Sequence, residues 1–367
     1  MLILRFVLFL IVFLPFPFMA TAETSRVFPG EDWEAASPEE VGLDSAPLDR
    51  IAEYLGGEGC LIRHGKLVFG WGDYTQRRDV ASAVKPWFTH FLLSAIEKGL
   101  LPSLDTPVSD FVPCLKDLNP SLGRKDRLIT FRHMDTQTSC YGVAEKPGTA
   151  FDYNDFQMAL FFDTLMTKVY RVPLESVDDQ VLHQLLTDIL QCQDNPTFYA
   201  FGPNGRAGRL GVSPRDFARF GWLYLNGGQW NGKQLITEEN AHFAVSNPLP
   251  VSIPRTKGIE AEMCPDQRTL GSQRIPDNQC DHHGSYSYLW WVNGVDGDGD
   301  RYWPDAPADV FTALGHKNGK RGIAVIPSLD IVLSWNDTKL EKYPEDPHPL
   351  NEVFRLLNEA TSKPIEK

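Results

Sequence analysis

Ser82 and Lys85 have the residue types and the spacing that covalent catalysis needs. They open a strongly apolar stretch that is typical of a helix, where residues three apart share a face. A serine hydroxyl is a weak nucleophile until a neighbouring base accepts its proton, and an amine one turn away can do this. The N–H groups at a helix N-terminus also favour developing negative charge. A bare Ser-x-x-Lys is common by chance, so the pair carries weight only in context.

Several motifs supply that context. Residues 129–142 are similar to a His-Thr-Ser-Gly helix and loop, and residues 147–155 to a Pro-Gly-Thr-x-x-x-Tyr-x-Asn segment. Residues 207–233 match a recurrent helix, and residues 313–319 lead into closing strands. In this order the motifs resemble the serine β-lactamase and penicillin-binding-protein-like hydrolases, nearest to the class C β-lactamase and esterase branch. The resemblance covers nearly all of the chain after the N-terminal segment.

The resemblance implies a role for each matching residue. Ser82 would be acylated, Lys85 would be its base, and Tyr153 would help to move the proton. The alternative for Tyr153 is a core aromatic residue with a satisfied hydroxyl. The backbone N–H of a closing strand, together with that of Ser82, would form the oxyanion hole.

Two departures from the family pattern bear on the substrate. Asp155 stands where the family has Asn, and an ionised carboxylate can accept from Lys85 but cannot donate to a substrate carbonyl. The Lys-Thr-Gly motif is missing, and residues 315–322 stand in its place. His316 is the first choice for the lysine position, and Asn318-Gly319 is the rival alignment. Both departures favour esters or uncharged amides over penicillins.

The order of predicted elements indicates an α/β protein of the α+β kind. A helix is expected at residues 47–55, with Ser45 as a possible cap, followed by a hairpin at 59–72 and the helix that Ser82 opens. Residues 101–205 read as a mainly helical lobe, with helices expected near 156–166 and 181–192. A helix that Ser213 caps follows, then strands at 286–293, 310–314, 322–326 and 331–335, and a last helix at 350–360. We therefore predict a β-lactamase/transpeptidase-like domain at residues 46–361, whose antiparallel sheet is formed by N- and C-terminal segments and flanked by helices.

The N-terminus predicts export. Arg5 precedes an apolar run with two prolines, and Ala20-Thr21-Ala22 is a small-x-small cleavage signature. Residues 1–22 are therefore interpreted as a signal peptide and residues 23–45 as a lead-in segment. The protein is expected to be periplasmic or secreted, without stable membrane insertion after cleavage.

Cysteines and charge limit the other possibilities. An exported chain with six cysteines can form disulfides, and the loop between Cys264 and Cys280 makes these two the favoured pair. The net charge of −13 argues against nucleic acid as a partner. The acidic stretch at residues 296–300 departs from a calcium loop, and residues 281–283 offer no third ligand at a useful spacing. No metal site and no cofactor are predicted.

The sequence leaves three functions open. The first is an exported serine hydrolase that cleaves a small-molecule ester or amide through a Ser82 acyl-enzyme. The second is a D-stereospecific peptidase or amidase that acts on cell-wall-like peptides. The third is a catalytically idle binding protein of the same fold.

Overall fold

The computed structural model describes residues 27–199, 207–271, 274–275, 280–343 and 348–361. The predicted signal peptide, at residues 1–22, lies outside them. The strands are β1 Glu58–Arg63, β2 Lys66–Trp71, β3 Arg78–Asp79, β4 Gly211–Val212, β5 Gln229–Trp230, β6 Lys233–Gln234, β7 Trp291–Val292, β8 Phe311–Gly315, β9 Arg321–Ile326 and β10 Ile331–Asn336. The α-helices are α1 Ser45–Leu55, α2 Lys85–Glu97, α3 Phe131–Asp135, α4 Asp155–Asp163, α5 Pro214–Leu225, α6 Glu238–Ser246 and α7 Leu350–Thr361.

One six-stranded antiparallel sheet, in the order β2-β1-β10-β9-β8-β7, joins the two ends of the chain. Cys60 of β1 lies opposite Ser334 of β10, so the N-terminal hairpin pairs directly with the C-terminal strands. All residues of β10 are buried, which indicates that both faces of the sheet are covered. This arrangement confirms the predicted fold class.

Helix α5 packs on β1, β9 and β10. It begins as the sequence predicts, because the Ser213 side chain accepts a hydrogen bond from the Asp216 N–H at 3.2 Å and proline occupies the first turn. Gly221 permits the close approach, since a Cβ there would lie 2.6 Å from a methyl group of Val332. The apolar face of α5 therefore covers the centre of the sheet.

The segment between α2 and β4 contains helices and loops in its described part, residues 101–199. It contains α3, α4, several short 3₁₀ turns and two π-helical segments, Thr164–Val169 and Asp178–Thr187. The second of these lies where the sequence predicts a helix at residues 181–192. No strand is assigned within residues 101–199, which agrees with the predicted helical character of this region.

The lead-in segment is fixed against α5. The Trp222 indole donates to the Val27 carbonyl at 3.1 Å, and the Arg219 guanidinium donates to the carbonyls of Gly30 and Glu31 at 3.0 and 2.7 Å. Trp33 donates in turn to the Arg215 carbonyl. The described part of the lead-in is thus tied to the domain by buried donors.

Two local predictions need correction. Only Trp291–Val292 of the strand expected at residues 286–293 pairs with β8, because Leu289 takes a positive φ of 59° and the chain turns there. The cap of α1 is Asp44 and not Ser45, since the Asp44 side chain accepts from the Ala46 N–H at 3.2 Å. The first error comes from a turn and the second from a helix that begins one residue earlier, and hydropathy reveals neither.

The predicted Cys264–Cys280 disulfide is wrong, because Cys264 pairs with Cys114 at a Cα–Cα distance of 6.0 Å. The chain before Cys264 is held against the helical region: Ala261 donates to the Gly142 carbonyl, and the Cys264 N–H donates to the Tyr141 hydroxyl, both at 2.9 Å. This path brings Cys264 to Cys114 across 150 residues of sequence. A local loop length could not indicate that partner.

Asp135 on α3 predicts a measurable pH dependence of stability. Its side chain is fully buried and accepts a hydrogen bond from the Thr89 hydroxyl at 2.7 Å, and burial raises its pKa to about 7. Between pH 4 and pH 7 the folded state therefore holds a proton that the unfolded state releases, so stability falls as the pH rises. We expect the free energy of unfolding of Asp135→Asn, relative to that of wild type, to increase by about 2–4 kcal/mol as the pH rises from 4 to 8.

Thermal or urea unfolding at several pH values measures this gain. Asp49→Asn, at an exposed position on α1, is the control and should show no such trend. A constant difference between Asp135→Asn and wild type across the range would refute the prediction.

Candidate active site

Ser82 lies on a 3₁₀ turn, Ala81–Val84, that leads directly into α2. Residues three apart eclipse one another in a 3₁₀ turn, so Ser82 stands directly over Lys85. Ala81, just before the serine, has a positive φ of 50°, a conformation that costs free energy in a residue with a Cβ. The Ala81 N–H donates to Asp79 at 2.8 Å, which holds this bend in place.

Lys85 connects the candidate catalytic groups. Its Nζ lies 2.7 Å from the Ser82 Oγ and 3.0 Å from the Tyr153 Oη, and only 2% of the residue is exposed. The three groups that the sequence singled out therefore form one connected set, although Tyr153 comes 68 residues after Lys85. A proton can pass between serine, lysine and tyrosine without a bridging molecule.

Tyr153 is positioned by the start of α4. The buried Asn154 caps that helix, and its Oδ1 accepts from the N–H groups of Phe156 and Gln157 at 3.0 and 2.9 Å. Its side-chain amide also donates to Asp152 at 2.5 Å and to the Tyr141 carbonyl at 3.3 Å. A residue next to such a cap has little freedom, so the phenol is held at Lys85.

Asp155, the first residue of α4, completes the group. Its Oδ1 lies 3.4 Å from the Lys85 Nζ, and 19% of its side chain is exposed. The sequence predicted an acceptor for Lys85 at this position, and the geometry agrees with that expectation. A carboxylate at this distance compensates the charge of a lysine that carries a proton.

These side chains line a cavity of about 1320 Å³. Ser82 is only partly buried and lines the cavity, so it is accessible from the cavity. Such a volume is at the large end of small-molecule sites. The cavity can therefore admit a substrate considerably larger than an acetyl ester.

No protein-family model matches the sequence, and no curated protein matches it. Solved structures do match. A proposed β-lactamase from Bacteroides dorei is 16% identical with a TM-score of 0.59, and the match covers 88% of this chain and 100% of that one. A proposed 6-aminohexanoate-dimer hydrolase from Bacillus anthracis is 16% identical with a TM-score of 0.56, over 90% and 86% of the two chains. A β-lactamase from Mycobacterium bovis is 17% identical with a TM-score of 0.55, over 86% and 100%.

The chain has the β-lactamase/transpeptidase-like fold. At these identities the likeness concerns the fold alone.

In this β-lactamase-like domain, β8 ends against the serine turn. A Cβ at Gly315 would lie 2.0 Å from the Val80 carbonyl oxygen and 2.9 Å from the Ala83 nitrogen, so only glycine fits there. The missing side chain lets the end of β8 touch the backbone on both sides of Ser82. This edge is where the sequence predicted that strand N–H groups would face the nucleophile.

The loop after β8 carries the remaining candidates at the wall of the cavity. About half of the His316 side chain is exposed, and its Nε2 lies 4.0 Å from Glu341. Partial loss of hydration and the nearby Arg321 lower the pKa of His316, so its imidazole is mainly neutral at pH 7. The Asn318 amide donates to the Tyr343 carbonyl at 3.4 Å, and Gly319 is buried, with its carbonyl accepting from Trp335. These three residues line the cavity but do not contact Lys85 through any hydrogen bond described.

Asp79 is a component that the sequence reasoning missed. It lies three residues before the nucleophile and pairs with two arginines that also line the cavity, Arg209 and Arg321. Arg209 uses two nitrogens for this contact, and the Arg321 nitrogen lies 3.3 Å from the carboxylate. The pairs connect β3 to β9 and to the chain before β4. A charged residue just before Ser-x-x-Lys was the available signal, but its partners are far away in sequence.

The described residues contain no group of three or more His, Cys, Asp or Glu side chains that could hold a metal ion. The acidic stretch at residues 296–300 is instead a tight turn, in which Asp296 accepts from the N–H groups of Asp298 and Asp300 at 2.9 and 3.0 Å. None of the described helices is both long and apolar enough to span a bilayer.

Proposed function

We propose that the protein is an exported serine hydrolase that cleaves small-molecule esters or uncharged amides through an acyl-enzyme on Ser82. The observation that carries this proposal is the lysine amine at 2.7 Å from the Ser82 Oγ and 3.0 Å from the Tyr153 Oη, at the base of an open cavity. A scaffold kept only for binding would not need a buried amine held against a serine. The Cys114–Cys264 disulfide supports export.

In the first half-reaction the Ser82 hydroxyl attacks the substrate carbonyl. Its proton passes to the neutral amine of Lys85 as the Oγ–carbon bond forms. The carbonyl oxygen becomes an oxyanion, which would accept hydrogen bonds from the backbone N–H of Ser82 and from a backbone N–H at the end of β8. Asp155 then balances the charge of the protonated Lys85, which is almost completely removed from solvent.

Collapse of this intermediate breaks the bond between carbonyl carbon and leaving group. Tyr153 delivers its phenolic proton to the leaving oxygen or nitrogen, and Lys85 returns a proton to Tyr153. In the second half-reaction water attacks the acyl-enzyme and gives one proton to the same pair. Ser82 leaves with that proton, the acid product is released, and the site is restored.

A fluorophosphonate probe tests this proposal. We expect intact mass spectrometry to show one adduct on the wild type and none on Ser82→Ala. Ser94→Ala is the matched control. Ser94 also lies on α2 and contacts a lysine amine, that of Lys98 at the end of the helix, but it does not line the cavity. This variant should still be labelled. An unlabelled wild type would instead support the idle binding protein.

Substrate preference gives a separate prediction. Penicillin-like substrates carry a carboxylate, and His316 offers it no fixed positive charge because its pKa is lowered. Arg209 and Arg321 also line the cavity, but both are paired with Asp79. A substrate carboxylate that meets no fixed cation at the His316 position is bound less tightly. We therefore expect kcat/KM for nitrocefin to be about 100-fold or more below that for p-nitrophenyl butyrate.

Parallel assays of the two substrates measure this ratio. His316→Lys places a fixed cation at this position and should move the ratio towards nitrocefin by about tenfold. Similar rates on both substrates with the wild type would argue against an ester-directed site.

A further inference from the structure

One wall of the cavity is aromatic. We define the aromatic wall as Trp291, Tyr302 and His348, all of which line the cavity. The Trp291 and Tyr302 rings are stacked at 5.6 Å between centroids with an interplanar angle of 17°, and the His348 ring lies 4.3 Å from that of Tyr302. Three rings from separate parts of the chain thus form one surface.

The aromatic wall lies beside the nucleophile on the β7 side. Trp291 on β7 pairs with Thr312 of β8, and β8 ends at Gly315 against the serine turn. The Tyr286 ring lies between Tyr153 and the aromatic wall: its centroid is 6.1 Å from that of Tyr153 and 4.8 Å from that of Trp291. A continuous series of ring contacts therefore runs from the candidate catalytic phenol to the aromatic wall.

Trp303 supports the aromatic wall. It is almost fully buried, although it also borders the cavity, and its ring packs edge-on against that of Tyr302 at 4.8 Å between centroids. Its ring also lies tilted against Phe354 of α7 at 5.4 Å. Tyr302 itself is only half-buried, so part of it faces the cavity. A partly exposed ring that is held by packed neighbours can bind a ligand group without reorganising.

We propose that the substrate carries a planar aromatic group that packs on the aromatic wall while its scissile carbonyl lies at Ser82. Aromatic rings bind other rings through offset-stacked or edge-to-face contacts that a saturated ring of equal size cannot reproduce. The inference rests on the proposed function, because it assigns the substrate class of the same site. An aromatic group would also occupy part of the cavity volume that a short acyl group leaves empty.

The test compares esters that differ only in ring planarity. Ethyl phenylacetate is paired with ethyl cyclohexylacetate to probe the acyl side, and benzyl acetate with cyclohexylmethyl acetate to probe the alcohol side. We expect kcat/KM to favour the aromatic member of at least one pair by about threefold to tenfold. Tyr302→Leu should remove most of that preference, and His348→Leu, which removes the ring packed beside Tyr302, should weaken it.

Phe69→Leu is the matched control. Phe69 is also half-buried and contacts another aromatic ring, Trp71 at 6.0 Å, but it lies on the edge strand β2 and does not line the cavity. This variant should keep the wild-type preference. Equal rates within both ester pairs overturn the inference if the fluorophosphonate probe labels Ser82. If the probe fails to label the wild type, the proposed function fails and the inference fails with it.

Discussion

Replacement of Lys85 by methionine should lower kcat/KM for ester hydrolysis by about 10³-fold to 10⁴-fold. Methionine matches the length of the lysine side chain but has no amine to accept the Ser82 proton or to contact Tyr153. The substitution also removes the lysine partner of Asp155 and should cost some stability, so a thermal unfolding curve must show that the variant is folded under the assay conditions. The rate of fluorophosphonate labelling should fall together with turnover.

The chain supplies its own control for this experiment. Lys98 donates to Ser94 on the same helix, and neither residue lines the cavity. Lys98→Met removes a second lysine–serine contact and should leave turnover within about twofold of wild type. An active Lys85→Met enzyme would mean that another base serves Ser82, and the mechanism would have to be abandoned.

Gly315→Ala should lower kcat/KM by about 100-fold with only a modest loss of stability. The added Cβ would lie 2.0 Å from the Val80 carbonyl oxygen, so β8 and the serine turn must move apart. A shift of about 1 Å is enough to separate the nucleophile from the oxyanion donors. Steady-state kinetics and a thermal unfolding curve measure the two effects separately.

Gly297→Ala is the matched control, because a Cβ there meets no atom within 4 Å. It should behave like wild type in both measurements. Wild-type turnover by Gly315→Ala would show that the contact between β8 and the serine turn does not position the reaction.

Some features depend only on neighbours in sequence, and the sequence predicted them. Ser82 and Lys85 meet because residues three apart share a face of the turn that joins them, whatever the rest of the chain does. The Ser213 cap and proline start α5 for the same local reason. Tyr153 and Asp155 are different, because only their resemblance to a family motif indicated that they would reach Lys85.

The tertiary structure alone decided the contacts between distant segments. Asp79 meets Arg209 across 130 residues, and Cys114 meets Cys264 across 150. The partners in the aromatic wall likewise come from β7, the loop after it and the chain before α7. Such pairings are set by how the six-stranded sheet, α5 and the helical region pack together. Local propensity carries no information on them, because their free energy depends on surfaces that exist only in the folded chain.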